Sequence, residues 1–277
     1  MMREIGAAVF LLLLTGQGMA APAQRVMSLT VCTDEILMDL APRQRIASIS
    51  YLSREKAALK LWPEAAQIPV NHNTVEEVLA EKPDLVLTLN YASPGLRDLL
   101  GKSGIHFLEV PQAENFDQIR AVVRKIADAT GTRPRAEALI AKMDAALRGL
   151  TGDRPFHRVR VVGWGGGGFV SGRDSLFNAV LEAAGGVNIT GGNGGYYDVE
   201  SLLAAKPDVL AYGDDYIDTP SLRRDQNDHP LLLKLFANRR IVYPTALFAC
   251  GAPESADAAR QLRVQLLAAM AMPGGVP

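Results

Sequence analysis

The chain has 277 residues, 48% hydrophobic and 21% charged, with a formal net charge of −1 and an isoelectric point near 6.4. That is a globular balance with room for one large domain or two of average size. It argues against a nucleic-acid partner, which needs a basic face, and no long run of one charge sign occurs.

At the N-terminus an arginine precedes an unbroken apolar run, Ala7–Leu14, which is too short for a permanent bilayer span. Small residues follow. Residues 1–20 therefore read as a secretory signal peptide, cleaved after Ala20 or Ala23, and the mature protein is expected to be exported without direct membrane insertion. No cysteine stands near the cleavage region, which argues against a lipid anchor.

Arg25–Leu29 then reads as a strand, Thr33–Leu40 as a helix and Arg45–Ser50 as a second strand. Thr74 suits a helix N-cap, with Glu77 three residues on as in a capping box. Pro83 stops that helix and Asp84–Leu89 is a buried strand. A helix within 93–104, a strand over Ile105–Val110 and an amphipathic helix closed by Gly131 follow. Arg133–Leu150 is one long helix, with Ala136, Leu139, Ile140, Met143, Leu147 and Leu150 on a single stripe.

The same programme then restarts. Val159–Trp164 is a strand, Ser175–Gly186 a helix, and Asp198 caps a helix that Pro207 stops before the strand Asp208–Tyr212. Arg239–Pro244 is a later strand and Glu254–Met270 a final helix. Helix alternating with strand predicts a parallel, doubly wound α/β unit. VEEVLAEKPD (Val75–Asp84) and VESLLAAKPD (Val199–Asp208) are nearly one decapeptide written twice, 124 positions apart (75 to 199). Two copies at domain spacing mark duplicated lobes and not a solenoid, whose period is shorter and recurs several times. The expected organisation is residues 24–131 as an N-terminal lobe, 133–150 as the linking helix and 156–272 as a C-terminal lobe. Cys32 and Cys250 lie in segments at the carboxyl ends of strands, one per lobe. The sequence leaves open whether they meet across a cleft, as ligand contacts or as a redox clasp, or are separate buried residues.

The order of RVMSLTVCTDEILMDLAPRQRIASIS, VEEVLAEKPDLVL, the linking helix, SGRDSLFNAVLEAAGGVNI, VESLLAAKPDVL and PTALFACGAPESADAARQL resembles the periplasmic substrate-binding proteins of ABC importers for vitamin B12 and ferric siderophores. The resemblance covers nearly the whole mature chain. It implies two Rossmann-like lobes joined by a single long helix, a ligand cleft between the lobes and a periplasmic location. The implied partners are a small-molecule metal chelate and an ABC permease dimer with its ATPase. It also implies that Glu76 and Glu200, at the same place in the two repeat copies, dock on the permease. Read without the resemblance, both are ordinary glutamates near helix N-termini.

Ligands of open α/β lobes sit at the carboxyl ends of the strands. The loops there offer Tyr51, Tyr91, Trp164, Phe169, Tyr196, Tyr197, Tyr216 and Phe248, flat faces suited to a macrocycle or a catecholate, with core packing as the alternative for about half of them. Polar candidates are Arg54, Asn71, His72, Asn73, Asn90 and Arg173, the arginines as partners for an acidic chelate. His72 is a candidate metal ligand or a hydrogen-bonded surface histidine, and the scattered histidines do not make a zinc site. Cys250 completes the ligand set. Where the B12-binding pattern has two tryptophans, an acid and an arginine, this chain has Val70, Leu89, Ala246 and Cys250, so another metal chelate is at least as good a candidate as cobalamin.

Gly163–Arg173 (GWGGGGFVSGR) lacks the Lys-Ser/Thr ending of a phosphate loop and reads as a flexible cleft wall. No cofactor fingerprint, nucleophile elbow or paired-carboxylate motif stands out. The reading is therefore a binding protein with no cofactor and no resident metal. The alternatives are an exported chelatase-like tetrapyrrole enzyme, a haem-binding protein of the same importer family, or an exported scaffold.

Overall fold

The computed structural model describes residues 21–55, 62–90, 94–150, 159–214 and 228–271. The signal peptide, Tyr91 and Tyr216 lie outside them. The first lobe holds a five-stranded, all-parallel sheet: β1 (Val26–Ser28), β2 (Ile46–Ser50), β3 (Val70–Asn71), β4 (Leu85–Leu89) and β5 (His106–Val110), in the order β3-β2-β1-β4-β5. Helices α1 (Val31–Leu40), α2 (Val75–Glu81), α3 (Pro94–Lys102) and α4 (Phe116–Thr130) connect its strands and lead out of it. Strands β1, β2 and β4 are buried along their whole length, as expected when helices cover both faces of a parallel sheet.

Helix α5 (Arg133–Gly149) carries the chain into the second lobe. There β6 (Arg160–Gly163), β8 (Val187–Asn188), β10 (Val209–Gly213) and β11 (Arg240–Tyr243) form a second parallel sheet, ordered β11-β10-β6-β8. Strand β7 (Phe169–Ser171) pairs with β9 (Gly194–Tyr196) in a separate antiparallel ribbon. The lobe's helices are α6 (Leu176–Ala184), α7 (Val199–Ala204), α8 (Pro230–Leu235), α9 (Ala246–Ala249) and α10 (Ser255–Ala271). In both sheets the lobe's first strand pairs with the next one on one side and with the strand after the repeated helix on the other.

The repeated decapeptide has one physical job in both lobes. Lys82 and Lys206 take left-handed backbone, φ 47° and 50°, which ends each helix. Proline follows, and the aspartate then binds back to the lobe's first strand. Asp84 accepts the backbone N–H groups of Gln24 and Arg25 at 2.7 and 2.9 Å, and Asp208 accepts that of Arg160 at 2.8 Å. Arg25 and Arg160 in turn place their guanidinium groups on the last helix carbonyls, at Glu81 in one lobe and at Ala205 and Lys206 in the other. A cation at a helix C-terminus satisfies orphan carbonyls and suits the helix dipole.

A second duplication is less visible in sequence. Asn71 and Asn188, each following a valine at the end of a two-residue strand, are both buried. Each amide donates across the sheet end, Asn71 to the Ser28 carbonyl and Asn188 to those of Ser171 and Gly172. Each side-chain oxygen accepts the backbone N–H two residues on. Asn71 is thereby a structural residue rather than a ligand contact.

One contiguous apolar core runs through both sheets and takes in Ala136, Ile140 and Met143 of α5 and Leu262 and Leu266 of α10. Smaller cores lie on the outer faces, around Val78 and Leu100 in the first lobe and around Trp164 and Leu202 in the second. Helix α5 is also sewn to α4 by ion pairs: Arg120–Asp144, Arg124–Glu137 at 2.9 Å and Arg133–Asp128 at 2.6 Å.

The glycine-rich stretch is ordered structure, and this corrects the expectation of a flexible wall. It holds a short 3-10 turn and strand β7, whose partner β9 brings backbone onto backbone. A Cβ on Gly172 would lie 2.2 Å from the Gly194 nitrogen, and one on Gly194, at φ 84°, would lie 2.3 Å from the Val170 carbonyl oxygen. The close approach that these glycines allow is therefore within the chain.

Candidate functional site

A cavity of about 220 Å³ opens at the carboxyl ends of the second lobe's strands. Its aromatic wall comes from three elements. Phe177 is on α6, Tyr243 ends β11 and Phe248 is on α9, with ring centroids 4.6 Å apart for Tyr243–Phe248, 5.4 Å for Phe177–Tyr243 and 5.9 Å for Phe177–Phe248. Phe169, half exposed on β7, adds a fourth face and meets Tyr196 edge-on at 5.7 Å. Gly163 sits where a Cβ would meet the Phe177 ring at 2.9 Å, so the absence of a side chain there lets the ring settle against the strand. Ser171, Ser175 and Thr245 supply hydroxyls, and the first lobe reaches in with Gln112 and Glu114, in the segment between β5 and α4. Among the described residues, no group of three or more histidine, cysteine, aspartate or glutamate side chains is arranged to hold a metal ion.

At the carboxyl ends of β2 and β3 the first lobe carries a second aromatic patch outside that cavity's lining. Tyr51, 43% exposed, stacks on His72 with centroids 5.1 Å apart. His72 is held by Glu77, whose carboxylate takes its backbone N–H at 2.8 Å and pairs with Nδ1 at 3.0 Å. Glu77 also completes the capping box with Thr74. The His72 hydrogen bond, with help from Thr74, holds the Glu77 carboxyl down at about 2. Asn73 stands beside them in left-handed backbone, φ 63°.

The remaining sequence candidates divide. Phe169 and Phe248 line the cavity, and Tyr196 stands at its edge through Phe169. Trp164 does not reach the cleft surface. It is fully buried in the outer core of the second lobe, because β6 turns it away from the face that carries Gly163. Tyr197 packs on that same core, half buried. Arg54 places its guanidinium on the Ile68 carbonyl, and Arg173 is exposed and does not line the cavity. Sequence reasoning missed Phe177, Tyr243, Gln112 and Glu114. Phe177 lies in a helix already assigned and Tyr243 in a strand already assigned, so their position was readable, while Gln112 and Glu114 depend on how the lobes face each other.

Cys250 leaves the ligand set for a different reason. Its sulfur is bonded to that of Cys32, with Cα atoms 5.1 Å apart, and the residue is 3% exposed. The disulfide joins the start of α1 to the segment after α9, lobe to lobe. Next to it the backbone of Gly251 lies against Ala113, where an added Cβ would meet the Ala113 carbonyl oxygen at 2.2 Å. The carboxyls of Glu35 and Asp39 on α1 and of Glu254 before α10 gather at the same seam. Burial, with repulsion from Glu254, Asp34 and Asp39, pushes Glu35 up to about 9, and burial with Glu254 pushes Asp39 up to about 7. Asp34 is fully buried, accepts from the Ser50 N–H at 2.9 Å and Ser53 Oγ at 2.6 Å, and is raised by burial to about 8.

Residues 26–199 match the family model described as periplasmic binding protein. The chain belongs to that family. The cobalamin-binding protein of Halobacterium salinarum is 26% identical over 204 residues, covering 69% of this chain and 54% of that protein. The chain thus spans about half the length of these relatives. Among solved structures, this periplasmic binding protein is similar to the periplasmic heme-binding protein HutB of Vibrio cholerae, with a TM-score of 0.74 at 17% identity over 88% of this chain and 98% of that one. The heme-binding protein RhuT of Roseiflexus in its apo form gives 0.72 at 20% identity, covering 88% and 97%. The vitamin B12-binding protein BtuF of Vibrio cholerae gives 0.67 at 19%, covering 89% and 98%. At such identities the likeness is one of fold.

Glu76 and Glu200 occupy one position in the two lobes. Each is the second residue of its helix, two past a side-chain cap, Thr74 or Asp198, and each is exposed.

Proposed function

We propose that this protein is the periplasmic solute-binding component of an ABC importer and that it captures a metal chelate in the cleft between its lobes. The observation that carries this reading is the aromatic cavity, walled by Phe169, Phe177, Tyr243 and Phe248 and closed from the other lobe by Gln112 and Glu114. Flat, apolar faces with a few polar groups suit the organic shell of a chelate, which buries its metal and presents rings and amides. Phe169, Phe248, Tyr196 and, from the first-lobe rim, Tyr51, His72 and Asn73 are the contacts proposed. Delivery would use Glu76 and Glu200. A binder with equivalent acids on two look-alike lobes fits a twofold permease, and matched charges set the register of docking. The relatives that bear heme, B12 and iron-hydroxamate in their names are consistent with this class.

Haem is a second reading within the same class, favoured by the Tyr51–His72 stack, which offers an oxygen and a nitrogen at the cleft rim. Mass spectrometry of whatever co-purifies from the periplasm, followed by absorbance titration with cyanocobalamin, haemin and ferric siderophores, separates these cases. Saturable one-to-one binding of one chelate supports the proposal. Turnover of a tetrapyrrole would favour an enzyme, and the absence of binding by every chelate would reject it.

A further inference from the structure

The charge of the cavity lining narrows the ligand. The sequence leads one to expect arginines against an acidic chelate. Among the described residues, the lining has no lysine, arginine or histidine, and its one charged side chain is Glu114. Arg54 is engaged with the Ile68 carbonyl, and Arg173 lies outside the lining. Glu114 is fixed in place from behind. Its backbone N–H donates to Gln118 Oε1 at 2.8 Å, and Asn115, the next residue, caps α4 through the Gln118 N–H at 2.9 Å. The helix entry thereby places Glu114 among the residues that line the cavity with the aromatic wall.

We infer that Glu114 is a specificity-determining residue that makes the cleft select neutral or cationic chelates over polyanionic ones. The inference rests on the proposed chelate-binding role. A carboxylate at the mouth of an aromatic slot leaves affinity for an uncharged shell almost unchanged, because such a ligand gains its energy from apolar burial. It repels every negative charge that enters, and no cation among the described lining offsets it. Discrimination by a misplaced charge is the usual way a binding site rejects a competitor of similar size and shape.

The test compares two iron chelates of opposite charge, the monocationic ferrioxamine B and the trianionic ferric tris-catecholate of enterobactin, by fluorescence or calorimetric titration. The wild-type protein should bind the first more tightly. Glu114→Gln should tighten the tris-catecholate by about fivefold at 0.15 M salt, from three like charges at ordinary side-chain distance with partial screening. Ferrioxamine should stay within about twofold, and Glu114→Lys should tighten the tris-catecholate further. The effect should shrink at 0.5 M salt, roughly as screening shortens. Wild-type preference for the trianion, or a Glu114→Gln variant with unchanged selectivity, would overturn the role of Glu114 while leaving the chelate-binding role standing. Failure of the wild type to bind any chelate, cyanocobalamin and haemin included, would overturn both.

Discussion

The disulfide between Cys32 and Cys250 is the perturbation with the largest expected effect on the fold. It closes a loop of 218 residues, which takes in most of both lobes. In the chain-entropy account, a cross-link over a loop of that length removes about 5 kcal/mol of freedom from the unfolded chain. Engineered cases often return less, so ~2–5 kcal/mol is the expected range. For a chain of this size each kcal/mol moves Tm by roughly 2–4 °C. The double variant Cys32→Ser, Cys250→Ala should therefore melt on the order of 5–20 °C lower in scanning calorimetry. A reducing agent added to the wild type should give the same shift and do nothing to the variant. Thiol labelling of the unreduced protein should find no free sulfhydryl. A melting shift below about 2 °C, or two thiols that label without reduction, would refute the argument that the lobes are covalently stapled.

Three further outcomes follow from the same seam and from the repeated helices. The raised Glu35 carboxyl, about 9 against an ordinary 4.5, means the native state holds more protons than the unfolded chain between those values. Stability should be fullest below pH 4.5 as far as this group is concerned and should fall as pH rises toward 9. The slope is at most about 1.4 kcal/mol per pH unit. Glu35→Gln should flatten the Tm profile between pH 6 and 9, and an unchanged profile would remove this group from the pH response. Gly251→Ala should cost several kcal/mol, on the order of 2–4, because backbone at Ala113 cannot yield as a side chain would, and chemical denaturation should show it as a lower midpoint with the same slope. Glu76→Ala with Glu200→Ala should abolish uptake in cells while leaving ligand affinity in solution within about twofold. Loss of ligand binding in that variant would place both glutamates in the wrong role.

Most of the architecture was legible because each local signal agreed with its neighbours. The capping box at Thr74 and Glu77, the cap at Asp198 and the proline stops at Pro83 and Pro207 fall at element ends, and the apolar stripe of α5 faces the shared core. The duplicated decapeptide showed that there are two lobes, but not what it does. That depends on Asp84 and Asp208 reaching the first strand of each sheet, a contact that periodicity does not encode. The site was less legible. Alternation along β6 turns Trp164 outward into a buried layer, and a tryptophan in a glycine-rich loop reads the same in sequence whichever way it faces. Strand β7 was missed because glycines usually weaken strands, and here they are needed by the backbone of β9. The pairing of Cys32 with Cys250, and the approach of Gln112 and Glu114 to the second lobe, are facts of lobe orientation and have no local signature.

The central claim is that the gap between the lobes holds a metal chelate against the Phe169, Phe177, Tyr243 and Phe248 wall. Anomalous diffraction at the iron and cobalt edges, on crystals of protein isolated from the periplasm with its natural ligand, tests it most directly. The account predicts a single metal peak inside that cavity, on the side facing Glu114. A peak elsewhere on the molecule, or a cleft occupied by an organic ligand without metal, would contradict it.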